Sequence, residues 1–355
     1  MNNDRIQEIL DLMEEARLDY FLISDPQSIA YCTGYYNDPH ERMFVFMISK
    51  HGNHTLFMND LFYLDHDLDV NIVWHKDGQD AIQTIVDEMH FPGRIGIDKN
   101  WASHFLLDLM KKLPDAKYIN ASPCVDLVRM KKDLQEQVLM IESSKINDAV
   151  MEEIIPLIQE GVTEKQLAKK LDELFFNHHS TCYGAIVAFG KNAADPHHEN
   201  DDTLLRKGDC VLIDMGCVYK GYCSDMTRTF FYEGILEEEI KVYELVKKAN
   251  EAAEAMIKPG VKLSDIDKCA RKVISDEGYG KYFTHRLGHF IGRDVHEYGD
   301  VSSVNEMEVE EGMIFSIEPG IYLEGNFGVR VEDLVMVTKD GCQVLNSFTK
   351  DIYII

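Results

Sequence analysis

From Ile6 to Leu18 the apolar residues Ile6, Ile9, Leu10, Met13 and Ala16 recur with the period of a helix and fall on one face. Short apolar runs follow at Tyr20–Ile23, Met43–Ile48, His54–Phe57, Ile72–Trp74 and Arg94–Ile97, each of strand length. Helical and strand-like patterns in alternation predict an α/β domain built on a mixed sheet. No glycine-rich phosphate loop or nucleotide fingerprint interrupts it, and no chemistry is read there. Near Ser122 the pattern changes. The charged crossover Arg129-Met130-Lys131-Lys132 leads into a long helical stretch from about Asp133 to Gln159. The expected boundary is near residue 125, giving a first domain 1–125 and a second 126–355.

The second domain carries a faint internal repeat. Ile158-Gln159-Glu160-Gly161-Val162-Thr163 resembles Ile257-Lys258-Pro259-Gly260-Val261-Lys262, and each copy precedes an amphipathic helical pattern. Thr163 with Gln166 reads as a capping box, and Ser264 is the expected N-cap of the other helix. Two hairpins are also expected. One joins Cys210–Gly216 to Tyr222–Phe231 through Tyr219-Lys220-Gly221, and the other joins Met313–Leu323 to Gly328–Thr338 around Glu324-Gly325-Asn326. Together these predict a pair of α/β halves related by a pseudo-twofold axis.

Composition narrows the function classes. The chain has 355 residues, 45% hydrophobic and 28% charged, which suits a globular protein with an ample core. A net charge of −26 argues against nucleic acid or an anionic membrane as partner. The start Met1-Asn2-Asn3-Asp4-Arg5-Ile6 has no signal-peptide pattern, and no apolar run approaches the ~20 residues of a bilayer span, so a cytoplasmic location is expected. The eight cysteines show no C-x-x-C pair, and reduced thiols are expected. Cys217 and Cys223 lie between two aspartates of interest, yet thiolates favour softer sites than carboxylates do.

The hairpins carry the chemistry. Asp214 lies in Val211-Leu212-Ile213-Asp214-Met215-Gly216, and Asp225 in Tyr222-Cys223-Ser224-Asp225-Met226-Thr227. Glu318 lies in Phe315-Ser316-Ile317-Glu318-Pro319-Gly320, and Glu332 in Gly328-Val329-Arg330-Val331-Glu332-Asp333. His289 belongs to His285-Arg286-Leu287-Gly288-His289-Phe290-Ile291-Gly292. An unpaired carboxylate in such apolar surroundings costs several kcal/mol, a penalty that a cation removes. Strands lie about 4.8 Å apart, so four carboxylates on two hairpins can reach a shared pair of cations about 3.5–4 Å apart. Carboxylates with one imidazole suit hard or borderline divalent ions.

In this order the segments resemble the pita-bread metallopeptidases, namely methionine aminopeptidase, aminopeptidase P and prolidase, from about Leu127 to Val337. With the preceding domain the resemblance extends over nearly the whole chain and is nearest to the Xaa-Pro peptidases. It implies a creatinase-like mixed-sheet domain followed by a pseudo-twofold pita-bread catalytic domain. It further implies a hydrolase that removes the N-terminal residue of small peptides, chiefly at Xaa-Pro bonds, with two divalent ions as cofactors. Manganese is expected first, with cobalt, zinc and iron as alternatives, and the expected assembly is a homodimer.

The implied roles fall on individual residues. Asp214 chelates the first ion, Asp225 and Glu332 bridge the pair, and His289 with Glu318 completes the second. Water or hydroxide between the ions is the nucleophile, and Glu318 also shuttles the proton. His296, seven residues after His289, binds the scissile amide or its oxyanion. His197, in Asp195-Pro196-His197-His198, is the loop histidine near the substrate, with His198 its neighbouring competitor. Arg330 lies near the site, either at the substrate or in an ion pair, and His285 is expected to support the ligands without binding metal. The chain departs from the family at one position. Xaa-Pro peptidases commonly carry an arginine four residues after the position of His296, where this chain has Asp300. That departure favours peptides longer than a dipeptide, or another small amide. Two alternatives remain: a creatinase-like hydrolase of a small amide or guanidino compound, and a non-catalytic interaction module.

Overall fold

The computed structural model describes residues 1–90 and 92–355, which form two compact units, Met1–Arg129 and Met130–Ile355. The first unit has the expected mixed α/β design. Its elements are α1 (Asn3–Glu15), β1 (Tyr20–Ile23), α2 (Pro26–Thr33), β2 (Val45–Ser49), β3 (Thr55–Asn59), β4 (Asn71–His75), α3 (Ala81–Glu88), β5 (Arg94–Ile97), α4 (Ser103–Lys112), β6 (Lys117–Asn120) and α5 (Ser122–Met130). The described strands pair in the order β4-β3-β2-β1-β5-β6, antiparallel among β1, β2 and β3 and parallel elsewhere. Strand alternation sorts the central residues. Phe21, Ile23, Phe46 and Ile48 pack with Ile6, Ile9 and Met13 of α1 on one face. Tyr20, Leu22, Val45 and Met47 pack with Ile82 and Ile85 of α3 on the other.

The second unit contains α6 (Leu134–Ile154), α7 (Glu164–Asn177), β7 (Thr181–Cys182), β8 (Ile186–Phe189), β9 (Cys210–Met215), β10 (Cys217–Tyr219), β11 (Tyr222–Cys223), β12 (Met226–Phe231), α8 (Glu237–Glu254), α9 (Leu263–Asp276), β13 (Gly288–His289), β14 (Asp300–Val301), β15 (Ile314–Ile317), β16 (Gly320–Leu323), β17 (Phe327–Arg330), β18 (Asp333–Val337) and β19 (Cys342–Val344). Both hairpins form. β9 pairs with β12 and β10 with β11 in the first; β15 pairs with β18 and β16 with β17 in the second. Each hairpin is broken midway; Asp225, Glu318 and Glu332 lie at the breaks, and Asp214 lies one residue inside the end of β9.

The repeat is a real structural repeat. Gly161 N–H donates to the Leu205 carbonyl and Thr163 bridges Leu204; in the other half Gly260 N–H donates to Val309 and Lys262 bridges Glu308. Both glycines have left-handed backbones, with φ of +81° and +85°. The Thr163–Gln166 capping box forms as expected. Ser264 is not an N-cap, however, because α9 starts at Leu263 with Lys262 preceding it. The Leu263 and Ser264 amides instead donate to the carbonyls of Met307 and Asn305, so the helix start is satisfied by a neighbouring segment and the serine hydroxyl bonds Glu306. Among the described residues, no helix is long and apolar enough to cross a membrane.

Candidate metal centre

Asp214 is carried on β9 opposite Thr227 of β12, and Asp225 immediately precedes β12. The chain turns between them where Gly216 allows a close approach. A Cβ at Gly216 would lie 1.8 Å from the Tyr183 hydroxyl and 2.1 Å from the Ser224 carbonyl oxygen. Tyr183 Oη donates to that same carbonyl at 2.7 Å, which fixes the backbone next to Asp225. In the second half Glu318 follows β15, and Glu332 sits between β17 and β18. A Cβ at Gly288 would lie 1.9 Å from the Ser316 carbonyl oxygen, so glycine lets the His289 strand press against β15.

Two hydroxyls hold the acidic groups, one from across the two hairpins and one from two residues before the carboxylate. Thr227 Oγ1 donates to Glu332 Oε2 at 2.6 Å, and Ser316 Oγ donates to Glu318 Oε1 at 3.2 Å. Ser316 Oγ also accepts the His289 amide at 3.0 Å. The His289 Nδ1 faces the Phe290 carbonyl at 3.2 Å; a carbonyl only accepts, so Nδ1 carries the proton and the Nε2 lone pair is open. That Nε2 lies 3.6 Å from both Asp225 Oδ2 and Glu318 Oε1. Ligand atoms of Asp225, His289 and Glu332 all lie within 4.8 Å of one another.

The electrostatics call for a cation. Burial, then repulsion from Asp214 and Glu318, pushes the Asp225 carboxyl well above the usual carboxylate range. Burial followed by the Asp225 charge does the same to Glu332, and burial raises Glu318 to about 7. Burial lowers His289 to about 3, keeping it neutral and able to donate a lone pair. Without positive charge these carboxylates resist joint ionisation; divalent cations reverse that preference. The donor set therefore fits divalent cations.

All five residues line one cavity of about 510 Å³, together with His197 and His296. The His296 ring stands 4.2 Å from that of His289, edge to face. His198 turns toward α7 instead, where its Nε2 bonds Glu164 Oε2 at 2.7 Å. Glu164, His198 and Asp201 also come close enough to hold a metal ion. The Glu164 oxygens, however, already accept from Phe189 N, Asn192 Nδ2, His198 and Asp201 N, which makes the group a structural hub. Arg330 donates to Asp214 Oδ2 at 2.6 Å, to Thr227 Oγ1 at 3.0 Å and to Tyr322 Oη at 3.0 Å. Tyr322 in turn donates to His285 Nε2 at 2.9 Å, so His285 supports the arginine and binds none of the carboxylates.

Several of these residues escape sequence reasoning. Asn147 of α6 donates to the Met215 carbonyl at 2.9 Å, beside Asp214, and Asn250 of α8 donates to the Ile317 carbonyl at 2.8 Å, beside Glu318. Tyr183, Tyr322 and Arg286 carried no motif signal. Ser316 was legible in principle from its two-residue offset to Glu318, whereas Thr227 serves Glu332 from far along the chain.

Known proteins resemble this chain over nearly its whole length. The model of metallopeptidase family M24 matches residues 138–339, and that of the creatinase/prolidase N-terminal domain matches residues 5–131. An uncharacterized peptidase of Staphylococcus aureus is 34% identical, over 98% of this chain and 99% of its own length. A dipeptidase from Pyrococcus horikoshii OT3 superposes with a TM-score of 0.92 at 35% identity, covering 99% of this chain and 100% of that one. A prolidase from Thermococcus sibiricus does so with a TM-score of 0.93 at 31% identity, covering 100% and 99%. Fold and site together define a peptidase of the pita-bread architecture. The chain belongs to metallopeptidase family M24, with a creatinase/prolidase-type domain ahead of the peptidase domain.

Proposed function

We propose that the protein is a dinuclear metallopeptidase that releases the N-terminal residue of short peptides, chiefly at Xaa-Pro bonds. One observation carries this reading: Asp214, Asp225, His289, Glu318 and Glu332 converge on a cavity that also holds two histidines. Asp214 with Asp225 would hold one ion and His289 with Glu318 the other, with Asp225 and Glu332 available to both. Two divalent ions bound there supply Lewis acidity and lower the pKa of the attacking water. Manganese is the first candidate, with cobalt, zinc and iron as alternatives.

The chain's own groups do the rest. Glu318 takes the proton from the attacking water and returns it to the leaving nitrogen. His296 and His197 donate hydrogen bonds where negative charge develops on the scissile carbonyl oxygen. Arg330 keeps Asp214 in place, and Thr227 does the same for Glu332, so the ligands need no rearrangement during the reaction. The prolidase name of a structural relative supports proline after the cleaved bond. A homodimer remains part of the proposal, and equilibrium sedimentation tests it.

The direct test incubates the purified, manganese-loaded chain with Xaa-Pro dipeptides and Xaa-Pro oligopeptides. Turnover that disappears with a chelator and returns with metal is the expected result. Cleavage of neither class, with metal demonstrably bound, overturns the reading.

A further inference from the structure

Among the described residues lining the metal cavity are two arginines, and they are engaged very differently. Arg330 is buried, and its donors are committed to Asp214, Thr227 and Tyr322. The Arg286 side chain is 39% exposed at the same cavity, and its Nη1 lies 4.0 Å from Asp300 Oδ2. A half-exposed pair at that separation holds a side chain only loosely. Asp300 is itself anchored, because its Oδ1 accepts from Ser302 Oγ at 2.8 Å, which leaves Oδ2 toward the arginine.

The backbone explains the pairing. Asp300 is the register partner of His289 across β13 and β14, and Arg286 lies three residues before His289. Arg286 is therefore tethered at the rim of the ligand set, close enough for its charge to act on Glu318 and His296. Position 300, where the resemblance calls for a cation, holds an anion in this chain. The guanidinium beside it belongs to Arg286.

We propose that Arg286 is the anion-receiving group of the cavity, binding a carboxylate of the substrate, and that Asp300 holds it until that carboxylate displaces the pair. A guanidinium donates two parallel hydrogen bonds to a carboxylate, a stronger contact than the loose pair it replaces. The carboxylate has two possible sources: the free C-terminus of a dipeptide, or an acidic side chain in the residue released. The proposal rests on the peptidase reading above, and it restores dipeptides as substrates despite Asp300.

The test compares Leu-Pro, Leu-Pro-amide and Glu-Pro-amide on the manganese-loaded protein and on its R286Q and D300N variants. The wild-type protein should favour a carboxylate-bearing substrate over Leu-Pro-amide by on the order of tenfold in kcat/KM, mostly through KM. Preference for Leu-Pro identifies the C-terminal carboxylate; preference for Glu-Pro-amide identifies the side chain. R286Q should lower the preferred substrate far more than Leu-Pro-amide, and D300N should strengthen the preference. Calorimetric binding of a reduced-bond Leu-Pro isostere, with and without its carboxylate, should show the same Arg286-dependent difference without turnover. Equal loss on all three substrates in R286Q, or no preference in the wild-type protein, overturns the proposal while leaving the peptidase reading intact. Failure of the wild-type protein to cleave any of the three overturns the proposal, and failure on Xaa-Pro oligopeptides as well overturns that reading.

Discussion

The two halves of the second unit share a plan and diverge in what they deliver. In each, a left-handed glycine and a bridge two residues later lead into the start of a helix, at Gly161–Thr163 and at Gly260–Lys262. In each, a buried helix asparagine pins a carbonyl next to a metal-facing carboxylate, at sequence separations of 68 and 67. The first residue of the following helix then differs. Glu164 opens α7 as a fully buried carboxylate, whereas Leu263 opens α9 as an apolar core residue. The first half uses that charge to hold Phe189, Asn192, His198 and Asp201, and thereby the loop that brings His197 to the cavity. The second half brings His289 in on a strand pressed against β15. Symmetric scaffolding thus supplies the paired carboxylates. Asymmetric additions to it supply the imidazoles.

The largest expected effect falls on the shared carboxylates. Asp225→Asn should reduce turnover by at least about a thousandfold and lower bound metal, with little change in circular dichroism. Near-normal turnover in that variant would falsify the bridging role. Next comes the asymmetric residue. Glu164→Leu, which copies the other half, leaves four donors unpaired and should cost roughly 3–5 kcal/mol in chemical denaturation. A cost below about 1 kcal/mol would show that the loop is held by other means.

The asparagines sharpen the symmetric side of the comparison. Asn147→Ala and Asn250→Ala should each cost roughly 1–3 kcal/mol, since each leaves a buried carbonyl without its donor. Both should also weaken metal binding, because the freed carbonyl is adjacent to a ligand. Effects on stability alone, with unchanged metal affinity, would make them ordinary core contacts.

Much of this was legible beforehand, and the misses share a physical cause. Asp214, Asp225, Glu318 and Glu332 stood out as carboxylates beside apolar strand patterns, and Thr163–Gln166 as a capping pattern, because local spacing alone defines such signals. Asn147, Asn250 and Glu164 sit in helices where polar residues ordinarily face water. Their partners are carbonyls and amides far along the chain, which no local pattern reveals. Ser264 failed as a cap for the same reason, since the backbone of Asn305 and Met307 had already taken the amides. Strand β6 was missed because Lys117 and Asn120, at its ends, are exposed on the edge of the sheet.

A smaller effect concerns pH. Burial, then the Arg330 charge, lowers His285 to about 4 from an ordinary value of 6.5. Between those values the unfolded chain binds a proton that the native state excludes, so this group's contribution to stability is lost as pH falls from 6.5 toward 4. In metal-free protein, His285→Gln should flatten the stability profile by roughly 1–2 kcal/mol between pH 6.5 and 5, read as the difference from wild type in urea denaturation. An unchanged slope would mean that the histidine titrates freely.

Anomalous scattering from manganese-soaked crystals tests the central claim most directly. Two peaks about 3.5–4 Å apart, enclosed by Asp214, Asp225, His289, Glu318 and Glu332, are the predicted result. An empty cavity, or manganese bound only at Glu164, His198 and Asp201, would contradict it.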